Sequence, residues 1–176
     1  MIETQRLILR RWRAADRAPF AAMSADPEVM DWLGGTTGEA QSEAVIDAIE
    51  ARFERLGYGR FAIERKDDGA FLGFAGLAPA HESKPVPEGL EIGWRLIRAA
   101  WGHGYATEAA QAALDDGFTR VALAEILAFT AESNLRSQAV MDRLNMIRDP
   151  TRDFDHPALA EDHPLRRHVV YVARRS

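Results

Sequence analysis

The sequence predicts an α/β (α+β) fold: a mixed, mostly antiparallel twisted sheet with one parallel pair at its centre and helices on both faces. Two short apolar runs that flank a turn signal indicate an antiparallel hairpin. A glycine-rich loop opens an Ala-rich amphipathic helix, and the apolar run after this helix predicts a strand parallel to the one before the loop. The 176 residues are 47% apolar and contain no internal repeat, so we expect one domain spanning 1–176.

The charge balance and the missing residue types restrict the function classes. Lys and Arg number 22 against 27 Asp and Glu, a net charge of −5, which argues against a nucleic-acid partner. No apolar run reaches membrane-spanning length and the first residues lack a signal-type segment, so we expect no membrane association and a cytoplasmic location. Because the chain has no cysteine, thiolate zinc sites and cysteine nucleophiles are excluded.

The first predicted strand spans residues 4–10. Its apolar side chains Leu7 and Leu9 alternate with polar ones, which is typical of a half-buried strand. We therefore expect Arg6 and Arg10 on the polar side of this strand.

Two helices are expected to follow. Asp16 is expected to cap the first, which ends before Pro27. The glycine-rich segment 26–38 is expected to be mobile. Its apolar residues are expected to pack inward or to line a substrate pocket: Val29, Met30 and Trp32. The second helix is expected to begin at Thr37 or Gly38 and to stop at Gly57. One apolar stripe is predicted on it: Ala44, Val45, Ala48, Ile49, Phe53 and Leu56.

The middle of the chain predicts the hairpin. Strands over 60–64 and 71–77 flank a turn at 66–69, as expected of antiparallel neighbours. A polar, Pro-containing loop over 78–87 then leads to a strand over 89–96. This strand delivers the chain to the glycine loop.

The glycine loop runs from Trp101 to Thr107 and predicts an anion site. Its glycines free the backbone for close approach by a ligand, and the helix that follows presents unpaired N–H groups and its positive dipole end. Thr107 is an expected cap. A Walker loop would need Gly-Lys-Ser/Thr, and a dinucleotide fingerprint would need glycine in place of Thr107. Neither pattern fits well, although Glu125 stands near the distance expected of a ribose-binding acid.

The last third of the chain alternates strand, helix and strand. Asn134 is a predicted N-cap of a helix over 135–144, and Asn145 tolerates the left-handed conformation that stops a helix. The other expected elements are a parallel strand over 125–130, a Pro- and His-containing loop over 149–164 and a closing strand over 167–172. The histidines of this region have spacings that match no common zinc pattern, so no metal site is expected: His156, His163 and His168.

Four segments of the sequence resemble the GCN5-related N-acetyltransferase (GNAT) family, particularly the branch typified by enzymes that acetylate ribosomal-protein N-termini. These segments are Thr4-x-Arg6-Leu7-x-Leu9-Arg10, Glu91-Ile92-Gly93-Trp94, the run Trp101-Gly-His-Gly-Tyr-Ala-Thr-Glu-Ala109 and Asn134-x-x-Ser137. The resemblance covers nearly the whole chain. It implies that 1–176 is a single acetyltransferase domain.

The resemblance further implies that acetyl-CoA binds in a V between the strands over 91–96 and 125–130. Diverging parallel strands leave N–H and C=O groups without partners, and the amides of pantetheine can satisfy them. Backbone groups of Leu96 and Ile97 would pair with those amides, Asn134 would contact the pantetheine arm, and the loop would hold the pyrophosphate. The implied cofactor-binding residues are Leu96, Ile97, Trp101, Gly102, His103, Gly104, Tyr105, Ala106, Thr107, Asn134 and Ser137.

Acetyl transfer to an amine needs a neutral nitrogen, a stabilised oxyanion and a proton for the leaving thiolate. Glu91 is the candidate base, directly or through water, and its alternative interpretation is an ion-paired strand carboxylate. Many family members carry a tyrosine where this chain has Met141, which removes the usual acid. Ser137, one helical turn from Asn134, is the candidate that hydrogen-bonds the departing sulfur; the alternative is a helix-surface serine without a catalytic role.

The acceptor is expected near Trp32, Phe61, Phe74 and Glu91, as a small-molecule amine or a protein N-terminus. The oligomeric state is expected to be a monomer or a homodimer. Two other function classes stay open. One is a non-catalytic acyl-CoA-binding module on the same fold, and the other is a dinucleotide-dependent oxidoreductase.

Overall fold

The computed structural model describes residues 1–80 and 89–175. The strands are β1 (Ile2–Glu3), β2 (Leu7–Arg10), β3 (Arg60–Arg65), β4 (Phe71–Pro79), β5 (Leu90–Leu96), β6 (Glu125–Ala131), β7 (Ile147–Arg148), β8 (Phe154–Asp155) and β9 (Arg167–Arg174). The α-helices are α1 (Arg17–Ala25), α2 (Pro27–Met30), α3 (Glu39–Leu56), α4 (Tyr105–Thr119) and α5 (Leu135–Arg143).

The strands form one nine-stranded sheet in the order β1-β2-β3-β4-β5-β6-β9-β7, with β8 paired to β9. Every neighbouring pair is antiparallel except β5 and β6, which run parallel. In the described residues, this parallel pair meets through Glu91 and Leu127 and has no further register partners. The predicted fold class is confirmed, and the parallel strands diverge beyond their contact.

Helices cover both faces of the sheet. Phe74 and Leu77 of β4 point to opposite faces because side chains alternate along a strand. Phe74 packs against Phe20 of α1, with ring centroids 6.3 Å apart. Leu77 packs on the other face, close to Gly117 of α4. Helix α4 therefore lies on one face and α1 on the other, and α3 packs against α1.

The local signals for turns and helix ends are mostly confirmed. The hairpin of β3 and β4 turns at 66–69, where Gly69 has φ +71°. Helix α3 begins after Gly38 and ends at Gly57, which adopts the left-handed conformation. Asn134 caps α5 through its side chain, and Asn145 has φ +55°. At each of these positions, one glycine or asparagine determines the local backbone conformation.

Arg10 lies on the side of the first strand opposite Leu7 and Leu9, as predicted, but that side is not exposed there: this arginine is buried, with 6% exposure. Its guanidinium pairs with Asp16 at 2.7 Å and with Glu64 at 2.6 Å. Asp16 precedes α1 as predicted, but its side chain does not cap that helix; it binds Arg10 and the backbone N–H of Arg13 instead. The carboxylate of Asp16 is thus used by these partners and not by the first turn of α1.

Three further predictions need correction. The segment predicted as a mobile loop over 26–38 contains α2 and a 3₁₀ turn, Asp31–Leu33. The predicted stripe of α3 is right at Ile49 and Phe53 but wrong at Val45 and Leu56, which are exposed; Ser42 and Ile46 complete the buried face. Thr107 is not the cap of α4, because Gly104 occupies that position.

Two predicted loops also differ in part. Of the loop expected over 78–87, Ala78 and Pro79 belong to β4. The part of this loop over 81–87 lies outside the described residues. The loop expected over 149–164 contains the short strand β8. Within the described residues, no helix is long and apolar enough to cross a membrane.

Candidate active site

A cavity of about 1030 Å³ lies where β5 and β6 diverge. Most of the predicted site residues line it: Glu91, Leu96, Trp101, Gly102, Gly104, Tyr105, Ala106, Thr107, Asn134 and Ser137. Ile97 and His103 lie outside its lining. Of the residues expected near the acceptor, Trp32 and Phe74 also line the cavity, whereas Phe61 packs against Phe53 of α3.

The glycine loop forms one wall of the cavity. Gly102 and Gly104 both have left-handed backbones, with φ +80° and φ +79°, and Gly104 is the N-cap of α4. A Cβ at Gly102 would meet nothing within 4 Å. The first-turn N–H groups of a helix have no intrahelical acceptors, so this open wall offers donors and a positive dipole to an anion.

The segment between β1 and β2 holds the loop in place. The guanidinium of Arg6 donates to the carbonyl of His103 at 2.9 Å and pairs with Glu108 at 2.7 Å. Glu108 also accepts from the hydroxyl of Thr4 and from the backbone N–H of Arg6. Burial opposes ionisation of Glu108, but these hydrogen bonds outweigh it and lower its pKa. Glu108 thus acts as a structural anchor of the loop.

The alternation of hydrogen bonds along β5 determines which backbone groups face β6. The N–H of Ile97 donates to the carbonyl of Leu72 at 2.9 Å, so residue 97 pairs with β4. In an antiparallel pair the preceding residue, Leu96, then turns its N–H and C=O away from β4, and so does Trp94. The carbonyl of Leu96 accepts from the indole N–H of Trp101 at 3.0 Å. The N–H of Leu96 and both backbone groups of Trp94 therefore point toward the split between the strands.

Two arginines surround Trp101 at the edge of the cavity. The guanidinium carbons of Arg98 and Arg136 each lie 4.8 Å from the centroid of its ring. Both arginines line the cavity, as do Trp32 and Trp94. These two cations were not foreseen from the sequence, because Arg98 precedes the loop and Arg136 lies on α5, so their proximity depends on the fold.

Glu91 lies on the cavity wall and is also ion-paired. Its carboxylate accepts a hydrogen bond from Nη2 of Arg60. It pairs in register with Ala78, which shares a face of β4 with Phe74, so Glu91 lies on the sheet face opposite α4. The ion pair foreseen as an alternative is present, and Glu91 lines the cavity from the sheet face opposite α4.

The side chains of Asn134 and Ser137 form a hydrogen-bonded pair. The Asn134 Oδ1 accepts from the backbone N–H of Ser137 at 3.3 Å, and its Nδ2 donates to the hydroxyls of Thr130 and Ser137 at 2.9 and 3.2 Å. The amide of Asn134 is thus occupied within the protein. Because the Ser137 hydroxyl accepts from this amide, its own proton is directed elsewhere.

The tyrosines do not replace the one missing at Met141. Met141 is buried and lines the cavity. Tyr105 also lines it, but its ring stacks on His103, with centroids 5.6 Å apart. Tyr171 lies outside the lining, its hydroxyl is 3.4 Å from Gln138, and burial raises its pKa. Ser137 is therefore the hydroxyl of α5 that borders the cavity.

The geometry disfavours a ribose-binding role for Glu125. Glu125, the candidate ribose-binding acid, is paired with Arg152 and Arg174 and does not line the cavity. His156 and His168 have ring centroids 5.3 Å apart, but the described part of the chain contains no group of three potential metal ligands.

A family model described as the acetyltransferase (GNAT) domain matches residues 6–147. The chain belongs to the GNAT acetyltransferase family. Curated relatives of this GNAT protein include YkkB of Bacillus subtilis, 32% identical over 145 residues that cover 81% of this chain and 83% of the relative. The N-acetyltransferase p20 of Bacillus licheniformis is 29% identical over 155 residues, covering 86% and 85%.

Solved structures agree with the GNAT fold. An acetyltransferase from Agrobacterium tumefaciens superimposes with a TM-score of 0.80 at 26% identity and covers 99% of this chain and 94% of its own. RimL, a ribosomal-protein α-N-acetyltransferase solved with coenzyme A, has a TM-score of 0.76 and covers 97% and 95%. At 15% identity, RimL shows the likeness of the fold alone. This GNAT protein is an acetyltransferase, and enzymes of its family take the acetyl group from acetyl-CoA.

The cavity of this GNAT enzyme fits that cosubstrate. Its glycine wall and the N-terminus of α4 suit the pyrophosphate, and the backbone groups of Trp94 and Leu96 suit the pantetheine amides. The contacts predicted for Ile97 and Asn134 are less well supported. The N–H of Ile97 and the side-chain amide of Asn134 already form hydrogen bonds within the protein. These site assignments stay predictions.

Replacing Gly104 by valine is expected to weaken coenzyme A binding at least about tenfold, because a Cβ there would lie 3.5 Å from Nη2 of Arg6, so the branched side chain displaces Arg6, which holds the loop, and shifts the helix N-terminus. Valine in a left-handed backbone also costs about 1–2 kcal/mol. Gly69→Val controls for that strain, since Gly69 has φ +71° in a turn outside the cavity lining. Calorimetry measures both affinities. Equal binding by the two variants would contradict the phosphate assignment.

Proposed function

We propose that this GNAT enzyme transfers the acetyl group of acetyl-CoA to a primary amine, of a small molecule or a protein N-terminus, by direct attack in a ternary complex. The observation that carries the proposal is the cavity between β5 and β6. Its anion-binding wall is at the N-terminus of α4, and the Glu91 carboxylate lies on the opposite face of the sheet. A thioester in the split could thus meet an amine from the other side.

The residues around the split supply the groups that the reaction needs. Glu91 accepts a proton from the ammonium form of the acceptor, directly or through water. The amine nitrogen then attacks the thioester carbon, and the N–H groups of Trp94 and Leu96 are donors for the carbonyl oxygen or for the pantetheine amides. When the C–S bond breaks, the thiolate leaves, and the nitrogen releases its second proton to water as the neutral amide is formed. Ser137 donates a hydrogen bond to the sulfur and relays a proton from water.

An acetyl-transfer screen against a panel of amines, with mass detection of products, tests the proposal. Formation of an N-acetylated product and free coenzyme A at equal rates is the expected result. Calorimetry on the same sample measures coenzyme A binding independently. Binding without transfer to any amine would contradict the proposed reaction and favour an acyl-CoA-binding role.

Removing the hydroxyl of Ser137 is expected to slow acetyl transfer by about 10- to 1,000-fold, because the departing thiolate loses its hydrogen bond. Affinity for coenzyme A should change little, since the backbone N–H of Ser137 keeps its bond to Asn134 in the alanine variant. Steady-state rates with acetyl-CoA and the acceptor found by the screen measure the effect. Ser133→Ala, an exposed serine outside the cavity lining, is the matched control. Full activity of Ser137→Ala would leave bulk water as the donor.

A further inference from the structure

Arg95 is a mostly buried cation on the same face of β5 as Glu91. Its guanidinium carbon lies 5.1 Å from the ring centroid of Phe74 and 5.6 Å from that of Phe20. Its Nη1 is 3.0 Å from the sulfur of Met30 and 3.4 Å from the hydroxyl of Ser24. Its Nε is buried and has no hydrogen-bond partner among the described residues. The neighbours of this cation are thus rings, a thioether and a hydroxyl, and none is an anion.

Such an environment disfavours the charged guanidinium. Burial, and then repulsion from Arg60, lowers the pKa of Arg95 to about 10. A buried charge is costly to a fold unless a counter-charge accompanies it, and no acidic side chain in the described residues forms an ion pair with Arg95. The cavity that Arg95 lines is where a ligand can supply the missing negative charge.

The other charged groups of the cavity strengthen this asymmetry. The arginines of the described lining outnumber its one acidic residue, Glu91: Arg60, Arg95, Arg98, Arg136 and Arg143. Two of them, Arg98 and Arg136, lie beside Trp101 and the glycine wall. Glu91 is engaged by Arg60, whose guanidinium carbon lies 5.6 Å from the same Phe74 ring that Arg95 contacts. On the acceptor side, the two arginines Arg60 and Arg95 therefore face a single carboxylate, that of Glu91.

We propose that the acceptor carries a carboxylate close to its amine and that Arg95 binds this carboxylate. The proposal rests on the proposed function and narrows its substrate class to small amino acids or peptides with an acidic group near the reacting amine. The planar guanidinium matches a carboxylate in shape and charge. With the carboxylate on Arg95, the amine faces Glu91, which lies on the same face of the same strand. Polycationic amines such as polyamines would be repelled by Arg60 and Arg95.

Matched acceptors test the proposal directly. Acetylation rates are compared for the proteinogenic amino acids, their carboxamides and their decarboxylated amines, at saturating acetyl-CoA. We expect transfer to acids to exceed transfer to the matched neutral or cationic amines by about ten- to a hundredfold in kcat/KM. The amides of aspartate and glutamate retain a side-chain carboxylate and show whether the bound anion is the α-carboxylate or a side chain. Equal rates for acids and amides would overturn the proposal.

Variants of Arg95 separate binding of the anion from general damage. Arg95→Met removes the charge at similar length and should raise KM about ten- to a hundredfold for carboxylate acceptors, with little change for their amides or for acetyl-CoA. Arg95→Lys should restore part of the loss. Arg11→Met is the control, because Arg11 also lies over a ring, that of Phe53, but does not line the cavity. Equal loss for acids and amides in Arg95→Met would mean a structural role and overturn the proposal.

A readout without turnover completes the test. In the presence of coenzyme A, N-acetyl amino acids should protect the wild-type protein against heat more than their amides do, and this difference should vanish in Arg95→Met. Transfer to neutral amines alone would overturn the carboxylate proposal and leave the acetyltransferase proposal intact. Transfer to no amine at all would overturn the proposed function, and the substrate class with it.

Discussion

Glu91→Gln is expected to lower turnover by about 100- to 10,000-fold, the range typical of losing a general base. Glutamine keeps the shape of the side chain and can still accept from Arg60, but it cannot take a proton from the acceptor. Cofactor affinity should be preserved, because the anion wall lies on the other face of the sheet. Steady-state kinetics with acetyl-CoA and coenzyme A calorimetry measure the two quantities separately.

Glu125→Gln is the matched control for this substitution. Glu125 lies on β6 and is also an ion-paired strand carboxylate, with Arg152 and Arg174 as its partners. It lies outside the cavity lining. Its replacement should leave turnover unchanged. The pH–rate profile distinguishes the two glutamates further. The rate of Glu91→Gln should no longer depend on the ionisation of residue 91, whereas the profile of Glu125→Gln should match that of the wild type. An unchanged profile in Glu91→Gln would rule out Glu91 as the base.

Asp16→Asn is expected to destabilise the protein by about 1.5–3 kcal/mol, because it replaces one of the two carboxylates that pair with the buried Arg10 by a neutral amide, while Glu64 remains. The side chains of Arg10 and Asp16 are 7% and 4% exposed, so water cannot compensate for the loss. Asp47→Asn removes an exposed pair with Arg17 and should cost about 1 kcal/mol or less. Denaturant unfolding of the three proteins measures the difference.

The same pair gives stability a defined pH dependence. Burial opposes the ionisation of Asp16, but hydrogen bonds from Arg10 and from the N–H of Arg13 outweigh it, so its pKa is lowered in the folded state. The unfolded state then binds more protons, and stability falls as the pH drops below about 4, the ordinary aspartate value. The gap between wild type and Asp16→Asn should therefore narrow in acid. A gap of the same size at pH 7 and pH 3 would contradict this account.

Local signals carried most of the fold. The roles of the glycines in the hairpin turn and at the helix ends, and of Asn134, were predicted correctly. Each of these roles depends only on residues nearby in the sequence. The pairing of β3 with β4 followed from the hairpin, and the parallel direction of β5 and β6 followed from the crossover through α4. The family resemblance then connected these elements to a cofactor.

The features that the sequence did not reveal depend on distant partners. Arg10 alternates with Leu9 like a surface residue, and only the fold brings it to Glu64, 54 positions away. The strand β8 exists through pairing with β9, so nothing in its two residues marks it. For the same reason, nothing in the sequence distinguishes Arg95 from the other residues of its strand. Its burial against Phe20 and Phe74 depends on how α1 packs on the sheet.

The placement of the tryptophans makes the cavity visible to spectroscopy. Three of the four, Trp32, Trp94 and Trp101, border the space between β5 and β6, and Trp12 is buried in the core with its indole N–H on the carbonyl of Arg60. The emission of an indole responds to water and to charges around its ring. A ligand that enters the cavity displaces water from three emitters at once, while the fourth provides a constant background. The intrinsic tryptophan fluorescence of the unlabelled protein should therefore report ligand binding in the cavity.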